Sequence, residues 1–156
     1  MDKENYNYEI LLKLLRVADT LWEESRLFFS KYNISPSQFN ILNLLYENRE
    51  AMTQIELSRR LLTHRSNVTG LLKRLETRKL ITRKVSKSDK RATHVQLTAR
   101  GKTIVDKILP EFRKITSELF ENIDIKEPAE FLKTLEKIES SALNKSRSLK
   151  NSSKIH

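Results

Sequence analysis

No cysteine occurs among the 156 residues. Disulfides, thiolate metal ligands and a thiol-based redox sensor are therefore excluded. Only two glycines are present, Gly70 and Gly101, too few for a glycine-rich loop that cradles phosphate. The three histidines, His64, His94 and His156, are scattered and lack metal-ligand spacing. No carboxylate pair falls in a recognisable cleft motif, so neither an enzyme nor a bound cofactor or metal is expected. No apolar run approaches the length that crosses a bilayer. The opening residues, Met1-Asp2-Lys3-Glu4-Asn5, lack the apolar segment of a secretory signal. The expectation is a soluble cytoplasmic protein of one domain, or of two small subdomains sharing a core.

What the chain does have is positive charge in one place. Of its 30 Lys and Arg residues, 12 lie between positions 59 and 91, with only Glu76 and Asp89 to oppose them. The whole formal charge of +10 therefore sits in that segment, and the rest of the chain balances. Charge localised in this way is the footprint of a surface that binds a polyanion. A membrane surface or an acidic protein would satisfy the same electrostatics.

Inside the basic segment, Val68, Leu71, Leu72 and Leu75 follow i, i+3, i+4, i+7 spacing, which makes one apolar stripe on a helix. The opposite face then carries Ser66, Gly70, Lys73 and Thr77, with Asn67, Thr69 and Arg74 on its flanks. Small residues permit close approach to a major groove, amides and hydroxyls suit base edges, and cations suit phosphates. Taken alone, the same face reads equally well as an ordinary solvated surface, so the neighbouring segments have to decide.

Residues 6–30 hold helical spacing through Ile10, Leu11, Leu14, Val17, Ala18, Leu21, Trp22 and Phe28. That helix is too apolar to stand alone, and expects burial against the C-terminal helices or a second subunit. Its aromatics Tyr6, Trp22 and Phe29 fit a core better than a ligand pocket. Ser35-Pro36-Ser37-Gln38 is a capping box with Pro at the first helical position, and starts a helix reaching about Asn48. Glu50-Ala51-Met52 suits a loop or a small edge strand. Thr53-Gln54-Ile55-Glu56 repeats the capping box and starts a short helix carrying Ile55, Leu57 and Leu61. A turn near Leu62-Thr63 leads into the basic helix, with His64 read as an imperfect cap in preference to a base or phosphate contact or a pH-sensitive group. Two short helices joined by a tight turn, the second with a polar outer face, match a helix-turn-helix.

After Leu80 the period changes to two. Residues 81–85 and 93–97 alternate and predict a hairpin with a cationic tip over Ser86–Ala92. A hairpin straight after a recognition helix is a wing. Its tip would lie along the duplex, with Lys87 and Lys90 beside it and Arg91 in the electronegative minor groove. Phosphates would repel Asp89, whose expected role is to orient Arg91, or another nearby Arg, by a charge-assisted hydrogen bond. Thr98 caps a long helix with Ile104, Val105, Ile108, Leu109, Phe112, Ile115, Leu119 and Phe120. Pro110 is expected to bend or break it. A last helix starts near Pro128, and from about Asn144 the Ser/Lys/Asn-rich sequence predicts a frayed or disordered tail.

Together these segments resemble the MarR family of winged helix-turn-helix transcription regulators. The resemblance rests on Leu61-Leu62, Arg65-Ser66-Asn67-Val68-Thr69-Gly70-Leu71 and Arg74-Leu75-Glu76. It continues through Leu80-Ile81-Thr82-Arg83, Asp89-Lys90-Arg91-Ala92 and Leu97-Thr98-Ala99-Arg100-Gly101, in the family's order and spacing. It spans most of the chain and is strongest between about 35 and 103. The chain departs from many relatives in two places. Arg78-Lys79-Leu80 stands where they have a Gly at the end of the recognition helix, and His64 stands where they have Ser.

The fold expected is mainly α with a small β wing, a winged helix-turn-helix flanked by N- and C-terminal dimerisation helices. Residues 1–34 and 104–147 would form the dimerisation region, 35–103 the DNA-binding domain and 148–156 a disordered basic tail. The resemblance implies a homodimer that offers two recognition helices and two wings to a pseudo-palindromic operator. It also implies a repressor, and a small-molecule effector pocket where the dimerisation helices meet the winged domain. On double-stranded DNA, Ser66, Asn67 and Thr69 are the candidates for base-edge or adjacent backbone contact, and Arg65, Lys73 and Arg74 for phosphate. Gly70 would allow close approach. A rival reading is a winged-helix protein-interaction module whose basic surface meets an acidic partner.

Overall fold

The computed structural model describes residues 3–61, 65–85 and 93–152. Its elements run α1 (Lys3–Ser30), α2 (Pro36–Asn48), β1 (Met52–Thr53), α3 (Gln54–Arg60), α4 (Arg65–Thr77), β2 (Ile81–Val85), β3 (Thr93–Leu97), α5 (Ala99–Phe120) and α6 (Pro128–Ser152). This is a mainly α chain with a small antiparallel sheet of order β1-β3-β2. The expected turn at Leu62-Thr63, the cap at His64 and the wing tip with Lys87, Asp89, Lys90 and Arg91 lie outside the described residues.

Local sequence accounts for most of the boundaries. Ser35 Oγ accepts the Gln38 N–H at 3.2 Å, and Gln38 Oε1 accepts the Ser35 N–H at 2.9 Å. Thr53 and Glu56 make the same reciprocal pair at the start of α3. Each box satisfies two amide groups that an uncapped first turn leaves without partners. Thr98 Oγ1 accepts the Gly101 N–H at 2.9 Å and so caps α5.

The ends of α1 and α4 are built alike. Asn33 and Lys79 both take left-handed backbone, with φ of 59° and 58°. The Ile34 N–H donates to Phe29 O and the Asn33 N–H to Ser30 O; Leu80 donates to Leu75 O and Lys79 to Glu76 O. This is the Schellman arrangement, and its apolar pair, Phe29 with Ile34 or Leu75 with Leu80, is buried in both. Lys79 thus does the work that glycine commonly does at a left-handed helix end.

Two units divide the chain at residue 111. In the first, the core gathers Phe29, Ile41, Leu42, Leu57, Val68, Leu72, Leu75, Leu80, Ile81, Val95, Val105 and Ile108, each below 2% exposed. The helix α4 packs on α2, α3 and β2. The hairpin β2–β3 pairs Ile81 with Leu97 and Val85 with Thr93, and β1 adds to its other edge through Met52 and Val95. Gly101 lets α5 begin tight against this sheet: a Cβ there would stand 2.0 Å from the Leu80 carbonyl oxygen. In the second unit, Ile115, Leu119, Phe120, Phe131, Leu132 and Ile138 are 39–59% exposed in the single chain. The helix α1, part of the first unit, likewise exposes Ile10, Leu11, Leu15, Val17, Leu21 and Trp22. Of its aromatics, Phe29 belongs to the core, while Tyr6 and Trp22 do not.

Two expectations need correction. Pro110 does not interrupt α5, which is continuous from Ala99 to Phe120. Pro110 and Asp106, one turn earlier, are both exposed, so the carbonyl deprived of its N–H partner lies on the solvent side of the helix. The chain is also helical to Ser152 rather than frayed from Asn144. Extending an existing helix costs little per residue, even through Ser and Asn, because the costly nucleus is already formed.

Candidate nucleic-acid interface

The helix α4 presents one face to the core and the other to solvent. Val68, Leu72 and Leu75 are fully buried and Leu71 nearly so. Asn67, Thr69, Gly70, Lys73, Arg74 and Thr77 are exposed on the remaining surface. Arg65 and Ser66 fall in the first turn of α4. The apolar stripe read from the sequence is therefore the stripe the fold buries, and it turns Asn67, Thr69, Gly70, Lys73 and Arg74 outward together. At Gly70 an added Cβ would meet nothing within 4 Å among the described residues. The protein's own packing does not require a glycine there, although mid-helix glycine costs about 0.5–1 kcal/mol relative to alanine. Something outside the chain would explain its use.

The placement of this helix depends on side chains that its own sequence pattern does not reveal. Glu76 Oε2 accepts the Arg83 Nε–H at 2.8 Å and a second guanidinium N–H from the same residue. This half-buried pair joins α4 to β2, and so sets the hairpin against the helix. Arg78 reaches 45 residues back in sequence, donating to the Asn33 carbonyl and, at 3.5 Å, to the Tyr32 carbonyl. A cation at the C-terminal end of α1 also meets the negative end of the helix dipole. Thr98 Oγ1 donates to the Lys79 carbonyl at 2.8 Å, while its N–H donates to Leu80 O. The far end of α4 is thus held to α1, to the sheet and to the start of α5. Gln54 of α3 donates from Nε2 to Thr69 Oγ1 at 2.6 Å. Glu76 and Arg83 stand on different elements, a helix and a strand, and Gln54 and Thr69 lie 15 residues apart on two helices, so sequence periodicity could not pair them.

Cations gather beside the outward face. Lys73, Arg74 and Arg78, with Thr77, Gln38 and Asn33, line an open groove of about 480 Å³. Arg83 is committed to Glu76, whereas Lys73 and Arg74 have no ion pair among the described residues. Along α3, the Glu56 carboxyl is held below its usual range by the Thr53 N–H and then by the Thr53 hydroxyl, with the charges of His94 and Arg60 assisting. At the end of α1, Tyr32 titrates above its usual range because it donates to Glu111. Neither group stands on the outward face of α4. Among the described residues, no cluster of three or more His, Asp or Glu could hold a metal ion, and no helix is long and apolar enough to cross a membrane.

Residues 32–92 match the model of the MarR family. The HTH-type transcriptional repressor YetL of Bacillus subtilis is 30% identical over 129 residues, covering 81% of this chain and 77% of that one. The chain belongs to the MarR family. Its fold is that of solved members. The regulator BldR of Sulfolobus solfataricus superposes with a TM-score of 0.80 at 23% identity, over 90% of this chain and 99% of that one. The MepR–DNA complex of S. aureus gives a TM-score of 0.76 at 24% identity, over 86% and 97%. This MarR-family protein is a helix-turn-helix transcription regulator, and its class is DNA-binding and not enzymatic. In the helix-turn-helix, α3 is the first helix and α4 the second, with β2 and β3 as the stem of the wing.

Proposed function

We propose that the protein is a sequence-specific repressor that binds a pseudo-palindromic operator as a homodimer. One observation carries this reading: the buried stripe of α4 leaves Asn67, Thr69, Gly70, Lys73 and Arg74 together on an exposed face. On duplex DNA, Ser66, Asn67 and Thr69 meet base edges or the adjacent backbone. Arg65, Lys73 and Arg74 neutralise phosphates, and an arginine among them can instead read a guanine. Gly70 admits the helix to the groove. The wing tip places Lys87 and Lys90 along the backbone and Arg91, oriented by Asp89, in the minor groove.

The second copy is supported by the apolar residues that the single chain leaves exposed on α1, on the end of α5 and on α6. Residues 1–34 and 104–147 serve as the dimerisation region and 35–103 as the DNA-binding domain. The reading places the protein in the cytoplasm and includes relief of repression by a small effector.

Selection from a randomised duplex library with the purified full-length protein is the direct test. The expected result is one consensus with two half-sites related by a twofold. A gel-shift titration of Arg91→Ala on that consensus should then lose about 1–3 kcal/mol. Unchanged affinity at moderate salt would sink the minor-groove assignment. Binding without any sequence preference would instead favour a basic surface made for an acidic protein.

A further inference from the structure

Gln54 belongs to α3, yet its amide ends on α4. It occupies the first helical position after the Thr53 cap and is half-buried. Its Nε2 donates to Thr69 Oγ1 at 2.6 Å, across 15 residues of sequence. The first turn of α3 is itself fixed, because Glu56 Oε2 accepts both the N–H and the hydroxyl of Thr53, at 2.7 and 2.8 Å. The capping box therefore fixes the turn that carries Gln54, and the Gln54 side chain reaches from that turn to the outward surface of α4.

Packing does not need this bond. The two helices already share a core through Leu57, Val68 and Leu72, all fully buried, while Thr69 is exposed. What the bond does is favour one arrangement of a small branched side chain that has staggered alternatives. A threonine presents a hydroxyl in one direction and a methyl in another. In a major groove those two groups recognise different features, a hydrogen-bonding edge or a thymine methyl. Which of them faces the base is decided by the rotamer.

We propose that Gln54 is a specificity-determining positioning residue of the DNA interface, fixing through its amide which group Thr69 offers to a base. The inference rests on the reading of α4 as a sequence-reading helix. Gln54 and Thr69 then act as one unit contributed by two helices.

The test uses full-length protein in a duplex-library selection, as the wild type, Thr69→Val, Gln54→Met and the double variant. Valine keeps the branched shape without the hydroxyl, and methionine keeps the length without the amide. Both single variants should relax base preference at the same symmetry-related position. Each should bind the wild-type consensus about three- to tenfold more weakly, and the double variant should be no weaker than the weaker single. Gln54→Ala, a plain truncation, should repeat the Gln54→Met pattern and provides a second variant if the first folds poorly. Unchanged preference in the Gln54 variants, a loss spread evenly over all operator positions, or additive losses in the double variant would overturn the proposal. So would unchanged preference in Thr69→Val. A wild-type protein that selects no consensus overturns the reading of α4 instead, and does so before any substitution is compared.

Discussion

Gly70, inside α4, and Lys79, just past its end, mark opposite choices. At Gly70 a side chain would fit the protein, since a Cβ meets nothing within 4 Å. Gly70→Ala should therefore raise stability by about 0.5–1 kcal/mol, read from the denaturation midpoint. The same methyl would crowd a helix seated in a groove, so affinity for the selected operator should fall about tenfold. At Lys79 a side chain is present where backbone φ of 58° disfavours one. Lys79→Gly should stabilise by about 0.5–1 kcal/mol in the same denaturation assay, because the left-handed penalty is larger than the added freedom of the unfolded chain. The charge pattern of α4 and its apolar stripe were readable in the sequence. The partner of Thr69 was not, because Gln54 lies 15 residues away on another helix and neither residue has a pattern of its own.

Capping chemistry made whole elements legible. Ser35 with Gln38 and Thr53 with Glu56 announced the starts of α2 and α3, and alternation announced β2 and β3. Pro110 misled because helix breaking depends on whether the orphaned carbonyl reaches water, which a sequence does not state. The joints between elements were hidden for a similar reason: Arg78 on the end of α1 and Glu76 with Arg83 are pairings made by tertiary packing.

The capping boxes also predict a pH response. Glu56 has a depressed pKa in the folded state, so its contribution is present above its unfolded pKa and lost as pH falls through the folded value. Glu56→Gln should flatten the acid side of the stability profile, measured by urea denaturation from neutral pH downward. Its exposure to solvent keeps the effect small. At the junction of sheet and helix, Gly101→Ala forces a methyl toward the Leu80 carbonyl and should cost about 1–3 kcal/mol of stability.

At the scale of the whole molecule, the exposed apolar residues and the segregated charge divide the labour. On the proposed reading, the ends of the chain offer surface to a second copy and the centre offers cations to DNA. Trp22, the single tryptophan, is 48% exposed in one chain. Its emission should shift to the blue as concentration rises through dimerisation, alongside a doubled mass in light scattering; a monomer at micromolar concentration would contradict the dimer.

The measurement that bears most directly on the central claim is a salt titration of binding, run in parallel on the selected operator and a scrambled duplex. Log K should fall linearly and steeply with log salt for both, as phosphate contacts release counterions. The operator should remain tighter by about a thousandfold or more near physiological salt. A flat salt response, or equal affinity for the two duplexes, would contradict the account of α4 as a DNA-reading helix.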